Sequence, residues 1–155
     1  EKYIVDKNNF VSMRLATVFG VSSRMRTDLL VNNFVYKAFK EKSLILFESH
    51  FKRNYIHIQD LVDGHMQAMN KIRDLENNNF YNLGTGNSIS VLELIDTFNS
   101  VNNLAVKKNF SERRRGDVEV CFADPAKAYK ELNWKAKLDL TEMCRDSWAG
   151  VKNDS

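Results

Sequence analysis

Glycine is scarce in this chain, with six among 155 residues, and Pro125 is its single proline. A dinucleotide is normally held by a glycine-rich turn opening a helix, because bare backbone N–H groups must approach its pyrophosphate. The sequence contains no G-x-G-x-x-G and no G-x-x-G-x-x-G, and its one close pair, Gly84 and Gly86, has no third member. The shortage excludes a cradle of that type within these residues. Cysteine is almost as rare: Cys121 and Cys144 make no disulfide framework, so the reducing cytoplasm is the expected location. No apolar run approaches the ~18 residues of a membrane-crossing helix, and the first residues show no signal-peptide pattern. His50, His57 and His65 lack cysteine or carboxylate partners at metal-ligand spacing, which predicts no metal site. His57, in a short apolar strand, reads as a core histidine. A net charge of +3 is too small to point to nucleic acid.

What remains is the balance of a soluble globular protein, 43% hydrophobic and 28% charged, in a length that suits an ordinary domain core. Phe10–Phe19 alternates as a strand ending at Gly20. Asp28–Lys40 carries a helical stripe of Leu29, Leu30, Phe34, Val35, Ala38 and Phe39. Leu44–Phe47 and Tyr55–Ile58 read as short strands around a polar, basic turn. Asp60 is expected to cap a helix through Ile72 that buries Leu61, Val62, Met66 and Met69. A strand at Phe80–Leu83 follows, then the capping box Ser90-Val-Leu-Glu93 with Leu92, Leu94, Ile95 and Phe98 behind it. Strands are expected near Val106–Phe110 and at Val118–Ala123, separated by the charged run Glu112–Asp117. Asp124-Pro125 opens a helix to about Leu132, and Asp139 opens a last one with Met143, Cys144 and Trp148 inward. Strands and helices alternate throughout, which predicts an α/β protein.

The first seven residues pose a question of their own, because Tyr3-Ile-Val-Asp-Lys7 matches the Tyr-x-x-x-Lys of dehydrogenase active sites. In an open α/β sheet, ligands sit beyond the carboxyl ends of the strands. A helix feeding the next parallel strand must run back across ~17–20 Å, about a dozen residues at roughly 1.5 Å each. Tyr3 stands seven residues before Phe10, which places it on the last turns of such a helix, at the wrong edge. The pair is a coincidence of spacing.

From Phe10 onward the chain resembles the C-terminal half of an extended short-chain dehydrogenase/reductase, in the NAD-dependent nucleotide-sugar epimerase/dehydratase group. The residues that carry this are Arg14-Leu-Ala-Thr-Val-Phe-Gly20, Arg53-Asn-Tyr-Ile-His-Ile-Gln-Asp-Leu61, Tyr81-Asn-Leu-Gly-Thr-Gly86 and Arg113-Arg-Arg-Gly-Asp117. The tail Ala123-Asp-Pro-Ala-Lys-Ala128 with Glu131-Leu-Asn-Trp134 is most similar to UDP-glucose 4-epimerases. The resemblance implies the C-terminal part of a Rossmann-like fold plus its small α/β substrate-binding domain, with the N-terminal nucleotide-binding half absent. Residues 1–20 would finish the Rossmann-like domain and 21–155 form mainly the substrate-binding domain, with 55–72 and 80–101 returning to the sheet. The glycine-rich turn and the true Tyr-x-x-x-Lys would lie upstream, so no catalytic residue is expected here, and NAD would belong to the complete enzyme.

The resemblance also assigns roles. Arg53 and Arg114 match the family's phosphate-contacting arginines, whose guanidinium forks suit a pyrophosphate. Asp117 matches the carboxylate that accepts hydrogen bonds from the ribose. Read alone, Glu112–Asp117 is a solvated charged loop; the resemblance turns it into a binding loop. Thr17 stands where most members have the asparagine of R-x-x-N, Leu29 lies on the substrate side, and Cys121 borders the sugar pocket. Leu15 and Val18 are the expected cofactor contacts. Asn54 replaces the aspartate of R-D-Y-I-H, and Ser22–Asn33 is shorter than in typical UDP-glucose 4-epimerases. The implied ligand is a nucleoside-diphosphate sugar of UDP-hexose type, and the implied partner is the missing half or a second chain, in an enzyme expected to be a homodimer. A 4,6-dehydratase fragment and a non-catalytic binding module are the alternatives. Neither a nucleic acid nor a membrane partner is expected.

Overall fold

The computed structural model describes residues 10–22, 26, 28–75, 79–111 and 118–153. Tyr3 and Lys7 lie outside these described residues. In chain order the elements are β1 (Val11–Leu15), β2 (Thr17–Phe19), α1 (Leu30–Lys40), β3 (Ser43–Phe47), β4 (Lys52–His57), α2 (Ile58–Lys71), β5 (Asn79–Leu83), β6 (Ser88–Ser90), α3 (Val91–Asn102) and β7 (Lys107–Ser111). A π-helical turn, Ala128–Leu132, and α4 (Leu140–Asn153) complete the chain. The strands pair as β1 with β5, β2–β4–β6, and β3 with β7, all parallel except β4 with β6.

The segment expected as one strand from Phe10 is two strands. Ala16 donates its N–H to the Leu83 carbonyl at 2.8 Å, which ends the β1–β5 ladder just before Gly84. Thr17 then turns to pair with Tyr55 of β4. Successive side chains of a strand point to opposite faces, and β4 uses this to join two cores. Tyr55 enters one with Phe19, Val35, Leu46, Ile95 and Cys144, while Ile56 enters the other with Leu61, Tyr81, Leu83 and Trp134. Cys144 is core, as expected, and burial pushes its thiol up to about 12.

Helix α2 departs from the sequence expectation twice. Its N-cap is His57, whose Nδ1 accepts the Gln59 N–H at 3.2 Å, and Asp60 lies inside the first turn. The buried Asp60 carboxylate accepts the Lys137 and Leu138 N–H groups at 3.0 and 2.9 Å, and its carbonyl accepts from Trp134 Nε1 at 3.0 Å. Leu61 is buried as expected, but Val62, Met66 and Met69 are 54%, 50% and 65% exposed. Gly64 and Ala68 take the inner face instead, because Trp134 lies against Gly64, where even an added Cβ would come within 3.2 Å of the indole. A methionine has no room there.

The Ser90 capping box forms as the sequence predicts. Ser90 Oγ accepts the Glu93 N–H at 3.1 Å, and the Glu93 carboxylate accepts the Ser90 N–H at 2.7 Å. The Ser90 backbone N–H and then its side chain hold the Glu93 carboxyl below its ordinary pKa. A depressed folded-state pKa contributes stability that is present above the unfolded value, ~4.3, and is lost as pH falls through the folded value. Ser90→Ala should therefore cost about 1 kcal/mol at neutral pH. Its deficit against the wild type should shrink in urea titrations carried below the Glu93 pKa.

The expected strand Val118–Ala123 reduces to a single parallel bridge between Val120 and Lys52. Lys52 supplies the N–H and carbonyl that hold Glu119 and Cys121, and the Arg53 side chain donates to the Val118 carbonyl. Helix α1 begins at Leu30, two residues later than expected, because Asp28 is held in the preceding turn by Arg26 at 2.6 Å.

Candidate functional site

Arg53 was expected in the turn before Tyr55; it lies within β4 instead, its side chain reaching across to the residues that leave the 112–117 run. Nη1 donates to the Val118 carbonyl at 2.7 Å and to the Lys52 carbonyl at 2.9 Å. Beside it, Lys52 N–H donates to the Glu119 carbonyl at 2.8 Å and Cys121 N–H to the Lys52 carbonyl at 3.0 Å. The exit of residues 112–117 is thus tied to β4. Their entrance is tied elsewhere: Ser111 ends β7 in register with Phe47, the last residue of β3. Arg114 and Asp117 lie outside the described residues, but both anchors of their segment are in place. Among the described residues, nothing accepts from Nε or Nη2 of Arg53, which leaves that edge of the fork open to an anion.

Phe47 also lines a cleft of about 540 Å³ together with Asp28, Leu30, Phe34, Lys37 and Ile45. Leu29, singled out from the sequence, is the residue before α1 at the edge of this cleft, with its carbonyl accepting the Asn33 N–H at 2.8 Å. Sequence reading missed Phe34, Ile45 and Phe47. A signal was available at Ile45, an apolar residue between the two buried leucines of β3 and therefore on the outward face, where it is 49% exposed.

The other candidates are less concentrated. Thr17 pairs with Tyr55 in β2. Cys121 is exposed. Leu15 is exposed at the carboxyl end of β1, whereas Val18 packs against the second core. His57 is buried as expected for a core histidine. Among the described residues no three His, Cys, Asp or Glu side chains gather to hold a metal, and no helix is long and apolar enough to cross a membrane.

The Gly84-Thr85-Gly86 turn packs against Asn54 and Pro125. A Cβ on Gly84 would lie 2.0 Å from Asn54 Oδ1, and one on Gly86 would lie 3.4 Å from Pro125. Both glycines thus lie beside neighbouring protein atoms. Asn54 holds the turn by donating from Nδ2 to the Asn87 carbonyl at 2.6 Å and to Thr85 Oγ1 at 3.3 Å. An aspartate cannot donate, so Asn54→Asp should set a carboxylate against a carbonyl and cost about 1–3 kcal/mol, read as a lower midpoint in thermal unfolding at pH 7.

The parallel strands, the crossover helices and the arginine-anchored segment define one half of a Rossmann-like nucleotide-sugar fold, that of the extended short-chain dehydrogenases/reductases. The chain belongs to the GDP-mannose 4,6 dehydratase family, which matches residues 18–147. It is 50% identical over 96 residues to UDP-glucose 4-epimerase of Bacillus subtilis, covering 62% of this chain and 28% of that protein. It is 47% identical over 103 residues to UDP-glucose 4-epimerase 2 of Arabidopsis thaliana, covering 66% of this chain and 29% of that one. Among solved structures, UDP-glucose-4-epimerase of Stenotrophomonas maltophila, with bound NAD and formylated UDP-arabinopyranose, superposes with a TM-score of 0.81 at 30% identity. That match covers 93% of this chain and 48% of the epimerase. The Bifidobacterium longum enzyme, in complex with NAD+ and UDP, gives 0.82 at 26% identity over 99% of this chain and 51% of its own. The chain spans about half the length of these solved relatives, and its alignments cover under a third of the curated ones.

Proposed function

We propose that the chain is the nucleotide-sugar-binding portion of an NAD-dependent 4-epimerase of the UDP-glucose/UDP-galactose type, and that it cannot complete the reaction by itself. The observation that carries this is Arg53 fastening the exit of residues 112–117 to β4, with Phe47 beside their entrance. A guanidinium fork gives a pyrophosphate paired donors and a charge that does not titrate away. Arg53 and Arg114 bind that group from two segments, Asp117 accepts from the ribose hydroxyls, and Leu29 with the apolar cleft receives the base. Held by its nucleotide, the sugar keeps the freedom to turn over between the faces of a nicotinamide. NAD, when bound in the complete enzyme, supplies hydride transfer at the sugar's C4; Leu15 offers it an exposed apolar contact, and Val18 acts only through packing. The remaining half is supplied by the same polypeptide or a second chain, and the complete, cytoplasmic enzyme is a homodimer.

The family's description favours a second reading, a 4,6-dehydratase fragment. Fusing the missing half of the Bacillus subtilis relative ahead of the chain separates the two. Conversion of UDP-galactose to UDP-glucose supports the epimerase, and a 4-keto-6-deoxy sugar supports the dehydratase. The same fusion tests Cys121, whose small exposed side chain leaves room for an N-acetyl group at the sugar's C2. Cys121→Tyr should abolish turnover of UDP-N-acetylhexosamines while sparing UDP-hexoses; equal loss of both, or of neither, would remove Cys121 from the sugar pocket.

A further inference from the structure

Helix α1 starts without the cap that the other long helices have. The side chains of His57, Ser90 and Asp139 open α2, α3 and α4, each accepting a backbone N–H of the first turn. The N-cap of α1 is Leu29, which has no side-chain acceptor to offer. Its start is held from within instead. Asn32, in the first turn of α1, donates from Nδ2 to the Arg26 carbonyl at 3.1 Å. The same carbonyl accepts the Leu29 N–H at 3.2 Å. The Arg26 side chain in turn holds Asp28, with Nε donating to Oδ1 at 3.2 Å and Nη2 to Oδ2 at 2.6 Å.

Asn32 belongs to the inner face of the helix, where Val31, Val35 and Ala38 are also buried. The residue is 8% exposed, and its Oδ1 has no partner. An amide buried with one end unsatisfied is less favourable in such a place than an apolar side chain of similar size. Packing therefore does not account for it, and a buried orphan of this kind calls for another reason. The bond that Asn32 does make supplies one. Asp28 lines the apolar cleft between α1 and β3, and Leu29 stands at its edge. Both are tied to Arg26, and Arg26 is tied to Asn32.

We propose that Asn32 is a positioning residue for the nucleotide cleft, fixing Asp28 and Leu29 at its rim through the Arg26 carbonyl. The place of Asp28 matters because its charge has the sign of a pyrophosphate. Paired with Arg26, the carboxylate is offset; released, it meets the phosphates as a like charge. Without the Asn32 donor, the Arg26 carbonyl keeps only the Leu29 bond among the described groups. Arg26 and Asp28 then move with the loosened start of α1. Losing one hydrogen bond of this kind changes an equilibrium by about three- to tenfold.

The proposal rests on the nucleotide reading of the cleft, so its test carries a readout that does not. UDP affinity by calorimetry, thermal midpoint and hydrogen exchange of the Leu29 amide are measured for the wild type, Asn32→Leu and Asn32→Asp. Leucine keeps the volume and removes both ends of the amide; aspartate keeps the shape and replaces the donor with an acceptor. Asn32→Leu should bind UDP about three- to tenfold more weakly, at an equal or higher midpoint. Its Leu29 amide should exchange faster by a similar factor. Asn32→Asp should weaken binding at least as much, and it carries the test if the leucine variant does not fold. Unchanged affinity, unchanged Leu29 exchange, or a midpoint that falls with affinity in Asn32→Leu would overturn the proposal. Should the wild type fail to bind UDP, the nucleotide reading alone falls, and Leu29 exchange decides. Acceleration in both variants upholds the anchor, and an unchanged rate sinks it.

Discussion

Arg53→Ala should weaken binding of UDP to this chain by about 10- to 100-fold, the largest single effect expected at the site. Two losses combine in that figure. The open edge of the guanidinium no longer meets the pyrophosphate, and the Val118 carbonyl loses its donor, releasing the exit of residues 112–117 from β4. Arg53→Lys separates them. A lysine restores the charge but not the planar fork, and one ammonium cannot hold two carbonyls in that geometry and still bind a phosphate. The lysine variant should recover less than half of the lost binding free energy. Salt dependence supplies a further check, because removing a phosphate contact flattens the fall of affinity with ionic strength. Affinity within twofold of wild type in Arg53→Ala would mean that the pyrophosphate lies elsewhere.

The largest expected effect on stability belongs to Asp60. The residue is 4% exposed, and its carboxylate accepts two backbone N–H groups, from Lys137 and Leu138. Asp60→Ala leaves both amides without an acceptor and should cost about 2–4 kcal/mol. Both bonds fall on Oδ2, so Asp60→Asn, whose amide oxygen can take that place, should cost less than half as much, which distinguishes lost hydrogen bonds from lost packing. The effect should appear in urea as a lower midpoint with an unchanged slope, since the same surface is exposed on unfolding. Equal losses for alanine and asparagine would assign the role to the shape of the side chain.

Asp60 also shows what the sequence makes legible and what it hides. Its position ahead of an apolar run announces a helix start, and a helix starts there, but the capping group is His57 three residues earlier. The pattern registers that a helix begins; it carries no information about a tail more than seventy residues away that needs a carboxylate. The inner face of α2 was hidden for the same reason. Val62, Met66 and Met69 have helical spacing, and only the fitting of Trp134 against Gly64 shows that they point outward. Local chemistry was easier to read: the Ser90–Glu93 box and the helix opened by Asp139 need only residues three apart, and both form. The long strand from Phe10 failed because a change of strand partner at Ala16 leaves no mark on hydrophobic alternation.

At the candidate site the sequence reading puts Arg53 in a turn, whereas it lies within β4. The apolar cleft beside α1 was legible only as Leu29. Phe34 and Phe47 come from a helix and a strand that meet in three dimensions, and short-range spacing cannot pair them. The close packing of Gly84 against Asn54 joins residues thirty apart in the chain, which short-range spacing cannot register either.

The most direct test follows UDP-galactose by proton NMR in the presence of the purified chain and NAD. A nucleotide-sugar-binding portion without its own cofactor cradle should broaden the uridine and ribose signals, leave the hexose signals sharper, and form no UDP-glucose over many hours. Formation of UDP-glucose would contradict the account by showing a complete catalytic site in these residues. Uridine signals that stay sharp at millimolar concentration would contradict it from the other side.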